Sequence, residues 1–273
     1  MPHALRIGTS YFETATAVAL DQFSKAGVDV EILEAGVGAR LDATTAVAAD
    51  IALITPIGLD HQNWLGDTLQ QITEEKGYAT SGCDISISAP QQSKVAEQLA
   101  AFCTGLQFCE PGSWPELVAA GEHQKTNASL AYSAIRALLQ HKLITCDLAK
   151  ARAAISSCQI PGRLQKIKIG CATIWLDAAH NRHAVEALTP SLHQLSNRFD
   201  AILVFTREDR SLDECLPLLT PFTETVVTRS EHSDPVAALN NQIAISPQGS
   251  FLVLGSFITV AEILRGQQQN LPL

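Results

Sequence analysis

The chain has 273 residues, of which 46% are apolar and 17% charged, so it can bury one or two hydrophobic cores and is not a disordered acidic tail. A net charge of −9 argues against nonspecific binding to the phosphate backbone of nucleic acids. No apolar run approaches the roughly 20 residues of a membrane helix, Met1 to Ser10 does not resemble a signal peptide, and the seven cysteines contain no C-x-x-C pair. We therefore expect a cytoplasmic protein with reduced cysteines and no nucleic-acid or membrane partner.

A capping box and a helical period mark the first element of the chain. Ser10 and Glu13 have the spacing of a capping box, apolar residues follow with a helical period, and Gly27 is a suitable C-terminal stop. Two β-rich apolar runs come next, at residues 28–33 and 51–57. Strand and helix signals that alternate at this spacing predict a parallel sheet covered by helices.

The elements that follow are predicted from caps and periodicity. Asp67 and Gln70 have the spacing of a second capping box, which predicts a helix that ends at about Lys76. Hydrophobic periodicity supplies the remaining signals of this half of the chain. They indicate a strand at residues 85–87 and helices at 93–102, 127–139 and 147–156.

Turn residues at 159–163 break this pattern, and we place a domain boundary near residue 160. Beyond it the alternation of strand and helix resumes. Strands are predicted at 172–176, 201–205, 226–228 and 251–254, and helices at 182–195 and 212–219. The sequence thus predicts two α/β domains, 1–160 and 161–273.

Polar residues that directly follow predicted strands are the first candidates for a ligand site, because open parallel sheets bind ligands at the carboxyl ends of their strands. Glu34 leads into the loop 36–42, whose glycines allow backbone amides to approach an anion. Asp60 and His61 follow the second run, where they could share a divalent cation with Glu34. Lys76 closes the next helix. Each of these residues also fits a solvated turn or helix cap.

A second group of candidates lies in the second half of the chain. Asp177, His180 and Asn181 follow a predicted strand and open a helix, where a nucleotide could lie, although Asn181 also fits a simple N-cap. Arg163, at the suspected junction, could bind phosphate or be an ordinary surface residue. The chain contains neither G-x-x-x-x-G-K-[ST] nor G-x-S-x-G, so it carries no P-loop motif and no nucleophile elbow.

Eight segments form an ordered set of motifs: SYFE (10–13), LEAGVGARLDAT (33–44), IGLDHQNWLGDTL (57–69), EEK (74–76), HQKTNASLA (123–131), PGRLQ (161–165), LDAAHN (176–181) and LGSF (254–257). In this order and spacing they resemble the folylpolyglutamate synthase/dihydrofolate synthase family of Mur-type ligases. The likeness spans nearly the whole chain. It implies an α/β fold with a Mur-ligase-type central domain, 1–160, whose sheet is mostly parallel, and a smaller Rossmann-like ligase domain, 161–273.

The resemblance also implies an ATP-dependent ligation. In this family the γ-carboxyl of a folate, or the carboxyl of dihydropteroate, is joined to the amine of L-glutamate through an acyl phosphate, with ATP and Mg²⁺ as cofactors. Glu34 and His61 match the family's magnesium ligands. Lys76 matches the lysine that becomes carbamylated and helps to hold the second metal ion.

Two further sets of residues match substrate contacts of the family. The residues that match contacts to ATP are Asn127, Arg163 and Asp177. The residues that match contacts to the pterin-containing substrate are Ser10, Tyr11, Phe12, Glu13, Leu41, Asp42 and Ala43. The role of His180 stays open, because it could be structural or support the phosphates.

The chain also departs from the family pattern. The P-loop segment that precedes the first motif in the family is missing, Arg182 stands where Pro is common, and residues 208–210 replace an Asp-Lys-Asp sequence. We therefore expect a P-loop-less fragment or divergent form, with little or no ligase activity on its own and oligomerisation through an exposed sheet edge. The alternatives are a noncatalytic folate- or nucleotide-binding protein, a subunit completed by a separate P-loop chain, and another amino-acid ligase of the Mur group.

Overall fold

The computed structural model describes residues 8–195, 198–208 and 210–269. Most of the segment Met1 to Ser10, and Asp209 of the 208–210 departure, lie outside the described residues. The chain divides into two compact units, one of Met1–Pro111 with Ser129–Ala151 and one of Gly112–Ala128 with Arg152–Leu273. The boundary near residue 160 stays a prediction. Among the described residues, no helix combines the length and apolar character needed to cross a bilayer.

A three-stranded parallel sheet, in the order β1-β2-β3, forms the centre of the first unit. Helices α5 and α6 each cross the division between the units, after Ala128 and after Ala151. The elements are α1 (Tyr11–Ala26), β1 (Ile51–Ile54), α2 (Gln62–Leu65), α3 (Leu69–Gly77), β2 (Ile85–Ser88), α4 (Ser93–Phe102), β3 (Gln107–Phe108), α5 (Glu122–Gln140) and α6 (Leu148–Ser157).

The central strand β2 is buried along its whole length because apolar side chains cover both faces of the sheet. Ile85 packs with Leu130 of α5 in one cluster. Ile54, Ile72 and Leu99 bring β1, α3 and α4 together in another. Within the described residues β1 pairs with β2 alone, and the oligomer through an exposed sheet edge stays a prediction.

The predicted strand at residues 28–33 is wrong. This segment is irregular in the structure, and Val28, Val30 and Ile32 are 43%, 48% and 85% exposed. Residues with high β-propensity form a strand only where a neighbouring strand pairs with them. No strand pairs with this segment in the described part of the chain.

The second capping box is also displaced by one residue from its prediction. Thr68, rather than Asp67, has the extended backbone of an N-cap, and its hydroxyl accepts from the N–H of Gln71 while the Gln71 side chain accepts from the N–H of Thr68. Both spacings fit the motif in the sequence. Only the backbone geometry distinguishes them.

The second unit contains a five-stranded sheet in the order β4-β5-β8-β6-β7. Its elements are β4 (Gln165–Ile169), β5 (Ala172–Leu176), α7 (Arg182–Leu195), β6 (Ala201–Val204), α8 (Leu216–Leu219), β7 (Val226–Thr228), α9 (Pro235–Ile245), β8 (Ser250–Leu254) and α10 (Phe257–Gln269). Alternate residues of β8 face two cores: Leu252 packs with Leu188 of α7, and Phe251 packs with Leu239 of α9. Helices therefore cover both faces of this sheet.

The predicted α/β class with a parallel sheet is confirmed, with one antiparallel exception. β4 pairs with β5 in antiparallel register, Gln165 opposite Leu176, so the second sheet is mixed. Strands β3 and β4 and helices α2, α9 and α10 were not predicted from the sequence. Because Lys166 and Lys168 alternate with Ile167 and Ile169, a half-buried edge strand could have been predicted at β4.

Candidate functional site

The predicted substrate segment 10–13 is the N-terminus of α1. The Ser10 hydroxyl accepts from the N–H of Glu13 at 3.2 Å, and the Glu13 carboxylate accepts from the N–H of Ser10 at 2.6 Å. The second of these bonds is the main reason that the pKa of Glu13 is lowered. Glu13 thus acts as an ionised helix cap, whereas Tyr11 and Phe12 are 90% and 40% exposed.

Asp42 organises the loop that follows Gly36. Its carboxylate accepts from the N–H of Gly36 at 2.9 Å and from the N–H and hydroxyl of Thr44 at 2.9 and 2.6 Å. Burial raises the pKa of Asp42, but these hydrogen bonds outweigh burial and leave the pKa below its usual value. Leu41 is 87% exposed and Ala43 partly exposed, so of the predicted residues 41–43 Asp42 holds the loop and Leu41 is open to a ligand.

The same loop is tied to the helix that carries Lys76. The N–H of Arg40 donates to the carbonyl of Glu75 at 3.3 Å, and the Arg40 guanidinium pairs with the Glu75 carboxylate at 2.6 Å. Lys76 follows Glu75 in the last turn of α3 and is partly buried. The structure thus holds the predicted pterin loop beside the segment of the predicted catalytic lysine.

The two predicted metal ligands differ in their surroundings. His61 has a left-handed backbone, φ 53°, and its Nε2 lies 3.6 Å from the Asp60 carboxylate. A left-handed backbone is uncommon at non-glycine residues, although His adopts it more often than most. Glu34 is exposed. The described residues contain no group of three or more His, Cys, Asp or Glu side chains placed to hold a metal ion. Mg²⁺ ordinarily takes one or two carboxylates together with substrate phosphates and water, and in this pair Glu34 offers the carboxylate.

In the second unit, Asp177 joins the turns at 161–165 and 176–181. Its two carboxylate oxygens accept from the N–H groups of Leu164 and Ala179, both at 2.8 Å. The carbonyl of Gly162 accepts from the N–H of Ala178 at 2.8 Å. Asp177 is 3% exposed, and burial raises its pKa although the two N–H groups and the nearby charge of Arg163 oppose the shift.

This arrangement fixes the predicted phosphate-binding arginine. Arg163 stands between Gly162, φ 69°, and Leu164, φ 42°, in a turn whose conformation Asp177 stabilises. Its guanidinium lies 4.8 Å from the ring centroid of Phe257, a distance at which a cation–π interaction is favourable. Phe257 lies in the LGSF motif, but the sequence did not indicate this contact, because it joins segments about a hundred residues apart.

The helix that opens after Asp177 begins with a side-chain cap. The Asn181 side chain accepts from the N–H of Ala184 at 2.8 Å, as expected for an N-cap. His180 Nδ1 lies 2.9 Å from the carbonyl of Ala178. This contact orients the His180 ring within the turn.

Asn127 lies in the first part of α5 and is exposed. Its Nδ2 donates to Oε1 of Gln124 at 3.2 Å. Asn127, Arg163 and Asp177, the three predicted nucleotide residues, all belong to the second unit, whereas the predicted metal, lysine and pterin residues belong to the first.

The second unit also contains a cavity that was not predicted from the sequence. A space of about 430 Å³ is lined by Thr206, Arg207, Arg229, Ser256 and two neighbouring side chains, beyond the ends of β6, β7 and β8. Arg229 Nε donates to the carbonyl of Thr206 at 3.0 Å. The ends of apolar strands at 201–205, 226–228 and 251–254 could have indicated this position in the sequence.

Comparison with known proteins gives a consistent family. No protein-family model matches the chain. The dihydrofolate synthase/folylpolyglutamate synthase of Escherichia coli is 31% identical over an alignment that covers 94% of this chain and 69% of the relative. The enzyme of the same name from Mycobacterium tuberculosis is 31% identical over an alignment that covers 80% of this chain and 52% of the relative. The chain thus spans about half of the M. tuberculosis protein.

The solved structures agree with this assignment. Escherichia coli FolC in complex with DHPP and ADP matches with a TM-score of 0.75 and 26% identity over 96% of this chain and 72% of that chain. An FPGS–AMPPCP–folate complex matches with a TM-score of 0.79 and 21% identity over 95% and 71%, a likeness that shows the fold alone. The fold is therefore of the Mur-ligase type, and the chain belongs to the dihydrofolate synthase/folylpolyglutamate synthase family.

Proposed function

We propose that the chain functions in the ATP-dependent ligation of L-glutamate to a folate or to dihydropteroate. The observation that carries this proposal is the 31% identity to the E. coli dihydrofolate synthase/folylpolyglutamate synthase over 94% of the chain. In the proposed reaction the acceptor carboxylate attacks the γ-phosphate of ATP, which gives an acyl phosphate and ADP. The amine of glutamate then attacks the acyl carbon, and the amide forms as phosphate leaves.

The second unit would contribute contacts to the nucleotide. The turn held by Asp177 and the ring of Phe257 restrict the position of the Arg163 guanidinium. A positioned guanidinium suits phosphate oxygens, which it can bind in a bidentate manner. In this proposal Asp177 acts mainly through the turn, because both of its oxygens already accept backbone hydrogen bonds, and Asn127 contacts the nucleotide directly.

The first unit would contribute the metal, lysine and acceptor contacts. Glu34 and His61 would hold Mg²⁺, which when bound neutralises phosphate charge. Lys76 would carry a carbamate, formed when its amine adds CO₂ and loses a proton, and this anion would help to hold a second metal ion. The exposed rings of Tyr11 and Phe12 would stack on the pterin, while Ser10, Glu13 and Asp42 keep the surrounding backbone in place.

The proposal is tested on the purified full chain with Mg²⁺, ATP, L-glutamate and either dihydropteroate or tetrahydrofolate. We expect calorimetry to detect binding of ATP and of an acceptor, and mass spectrometry to detect an acceptor heavier by one glutamyl residue. The predicted low turnover makes binding the more sensitive readout.

A matched pair of arginine variants localises the nucleotide. Arg163→Gln should weaken ATP binding about tenfold or more, since a charge-assisted phosphate contact is lost. Arg198→Gln should leave it unchanged, because Arg198 is an exposed arginine of the same unit that pairs with Glu224. A chain that binds neither ATP nor an acceptor would contradict the proposed function.

A further inference from the structure

Arg40 attaches the loop at residues 36–42 to the end of α3. Its guanidinium forms an ion pair with the carboxylate of Glu75 at 2.6 Å, and its N–H donates to the carbonyl of Glu75 at 3.3 Å. Packing at Gly38 adds to these contacts, because a Cβ atom there would lie 2.8 Å from Cδ2 of Leu65 and 3.7 Å from Cβ of Glu75. The loop therefore lies against both α2 and α3.

The ion pair joins a partly buried carboxylate to a half-exposed guanidinium. The side chain of Glu75 is 18% exposed and that of Arg40 is 52% exposed. A carboxylate with little access to water needs a donor from the protein, and a guanidinium is a strong one. The hydrogen bond to Glu75 and the charge of Glu75 raise the pKa of Arg40, and the charge of Glu74 adds to the shift. Arg40 is therefore held at the last turn of α3.

Other hydrogen bonds fix the shape of the loop but do not attach it to α3. Asp42 accepts from the N–H of Gly36 at 2.9 Å, and the Thr45 hydroxyl donates to the carbonyl of Ala39 at 2.7 Å. Both bonds join residues of the loop or of the short turn that follows it. The position of the loop on the helix therefore depends on the ion pair and on the packing described above.

Two residues of the proposed site directly follow the two members of the ion pair. Leu41, which is 87% exposed and is predicted to contact the acceptor, follows Arg40. Lys76, which is partly buried and is proposed to carry the carbamate, follows Glu75. A displacement of the loop along the helix would therefore move Leu41 relative to Lys76.

We propose that Arg40 and Glu75 are positioning residues that hold Leu41 in place for the acceptor, beside the segment that carries Lys76. The inference rests on the proposed function, in which the loop forms part of the acceptor site. An ion pair with an exposed partner contributes little to overall stability, so its loss should disturb the loop rather than unfold the chain. The predicted nucleotide residues belong to the second unit, and their contacts should not depend on this pair.

The test measures the affinity of the full chain for dihydropteroate, tetrahydrofolate and Mg·ATP by calorimetry. Arg40→Gln removes the charge that pairs with Glu75 and should weaken acceptor binding about fivefold without changing the affinity for ATP. Arg40→Lys can still form the ion pair and should recover most of the loss. Lys25→Gln is the control, because it breaks an exposed ion pair of the same length, 2.6 Å, with Asp21 in α1, and it should change neither affinity.

Hydrogen exchange followed by mass spectrometry gives a second readout. Arg40→Gln should speed amide exchange at residues 36–42, whereas Lys25→Gln should not. If Arg40→Gln does not fold, as judged by circular dichroism, Glu75→Gln breaks the same ion pair and replaces it in both measurements. Unchanged acceptor affinity or unchanged exchange in the folded variant would overturn the inference and leave the proposed function intact, as would an equal loss of affinity for acceptor and ATP. A wild-type chain that binds no acceptor would overturn the inference together with the acceptor part of the proposed function.

Discussion

Asp42 in the first unit and Asp177 in the second each accept hydrogen bonds from backbone N–H groups of a turn, yet their pKa values shift in opposite directions. Asp42 is partly exposed, and its hydrogen bonds lower its pKa despite some burial. Asp177 is 3% exposed, and loss of hydration outweighs two N–H donors and the nearby Arg163, so its pKa is raised. Burial, rather than the number of donors, decides the sign of the shift.

The same contrast extends to the predicted site residues around the two aspartates. Those of the first unit, such as Tyr11, Leu41 and Glu34, lie on exposed segments. In the second unit, Asn127 is also exposed, but Arg163 and Asp177 lie in turns held together by the buried Asp177 carboxylate. Substitutions in the second unit should therefore affect stability more than comparable substitutions in the first.

Removal of Asp177 should have the largest effect. Asp177→Ala leaves the N–H groups of Leu164 and Ala179 without their acceptor in a buried position, and we expect a loss of about 3 kcal/mol in the free energy of unfolding. Asp177→Asn keeps one acceptor oxygen and should cost less. Guanidinium unfolding followed by circular dichroism measures both variants, and a loss below about 1 kcal/mol for Asp177→Ala would contradict the structural role of this carboxylate.

Glycines near the two aspartates give a second comparison. Gly162 has φ 69°, and an added Cβ would lie 3.3 Å from Val260, so Gly162→Ala should destabilise the chain by about 1–2 kcal/mol. Gly36 has no positive φ, and an added Cβ would meet Asp42 and Phe12 at ordinary contact distances of 3.5 and 3.6 Å. Gly36→Ala should stay within about 0.5 kcal/mol of the wild-type chain. Similar losses in both variants would weaken the contrast between the units.

Removal of Asp42 should have a smaller effect than removal of Asp177. Asp42→Ala loses the side-chain cap of the short turn that begins at Ala43, and we expect a loss of about 1 kcal/mol, because water can replace the lost acceptor at this partly exposed position. The same denaturation experiment measures it. A loss as large as that for Asp177→Ala would show that exposure does not separate the two carboxylates.

Local signals in the sequence were sufficient to predict features that depend only on neighbouring residues, such as helix caps. The capping box of Ser10 and Glu13, the stop at Gly27 and the N-cap at Asn181 are all present in the structure as predicted. Contacts between distant segments could not be predicted in this way. The run at 28–33 has strand composition but no pairing partner in the described part of the chain.

In the candidate site, too, contacts between distant segments could not be predicted from the sequence. Asp177 and Arg163 were both singled out, but the sequence could not show that Asp177 accepts from Leu164, thirteen residues earlier. Nor could it show that Phe257 lies over Arg163, or that Arg40 pairs with Glu75. Burial and long-range packing decide these contacts, and neither can be derived from spacing along the chain.

The dependence of stability on pH also tests the contrast between Asp42 and Asp177, and its effects are expected to be the smallest. The pKa of Asp42 in the folded state lies below its unfolded value of about 3.8, so the folded state binds fewer protons than the unfolded state. The contribution of Asp42 to the free energy of unfolding is therefore present above that pH and lost as the pH falls below it. The folded pKa of Asp177 lies above the same unfolded value, so its contribution is present at low pH and lost as the pH rises through the folded pKa.

The wild-type chain should therefore lose stability relative to Asp42→Asn, and gain stability relative to Asp177→Asn, as the pH falls from about 7 to about 3. Urea unfolding across this range measures both differences, and subtraction of each variant from the wild type removes the titration of all other groups that the two share. Slopes of the same sign would mean that the two turns impose the same environment on their carboxylates. Opposite slopes would establish that one hydrogen-bonding arrangement favours the ionised group at the surface and the protonated group in the core.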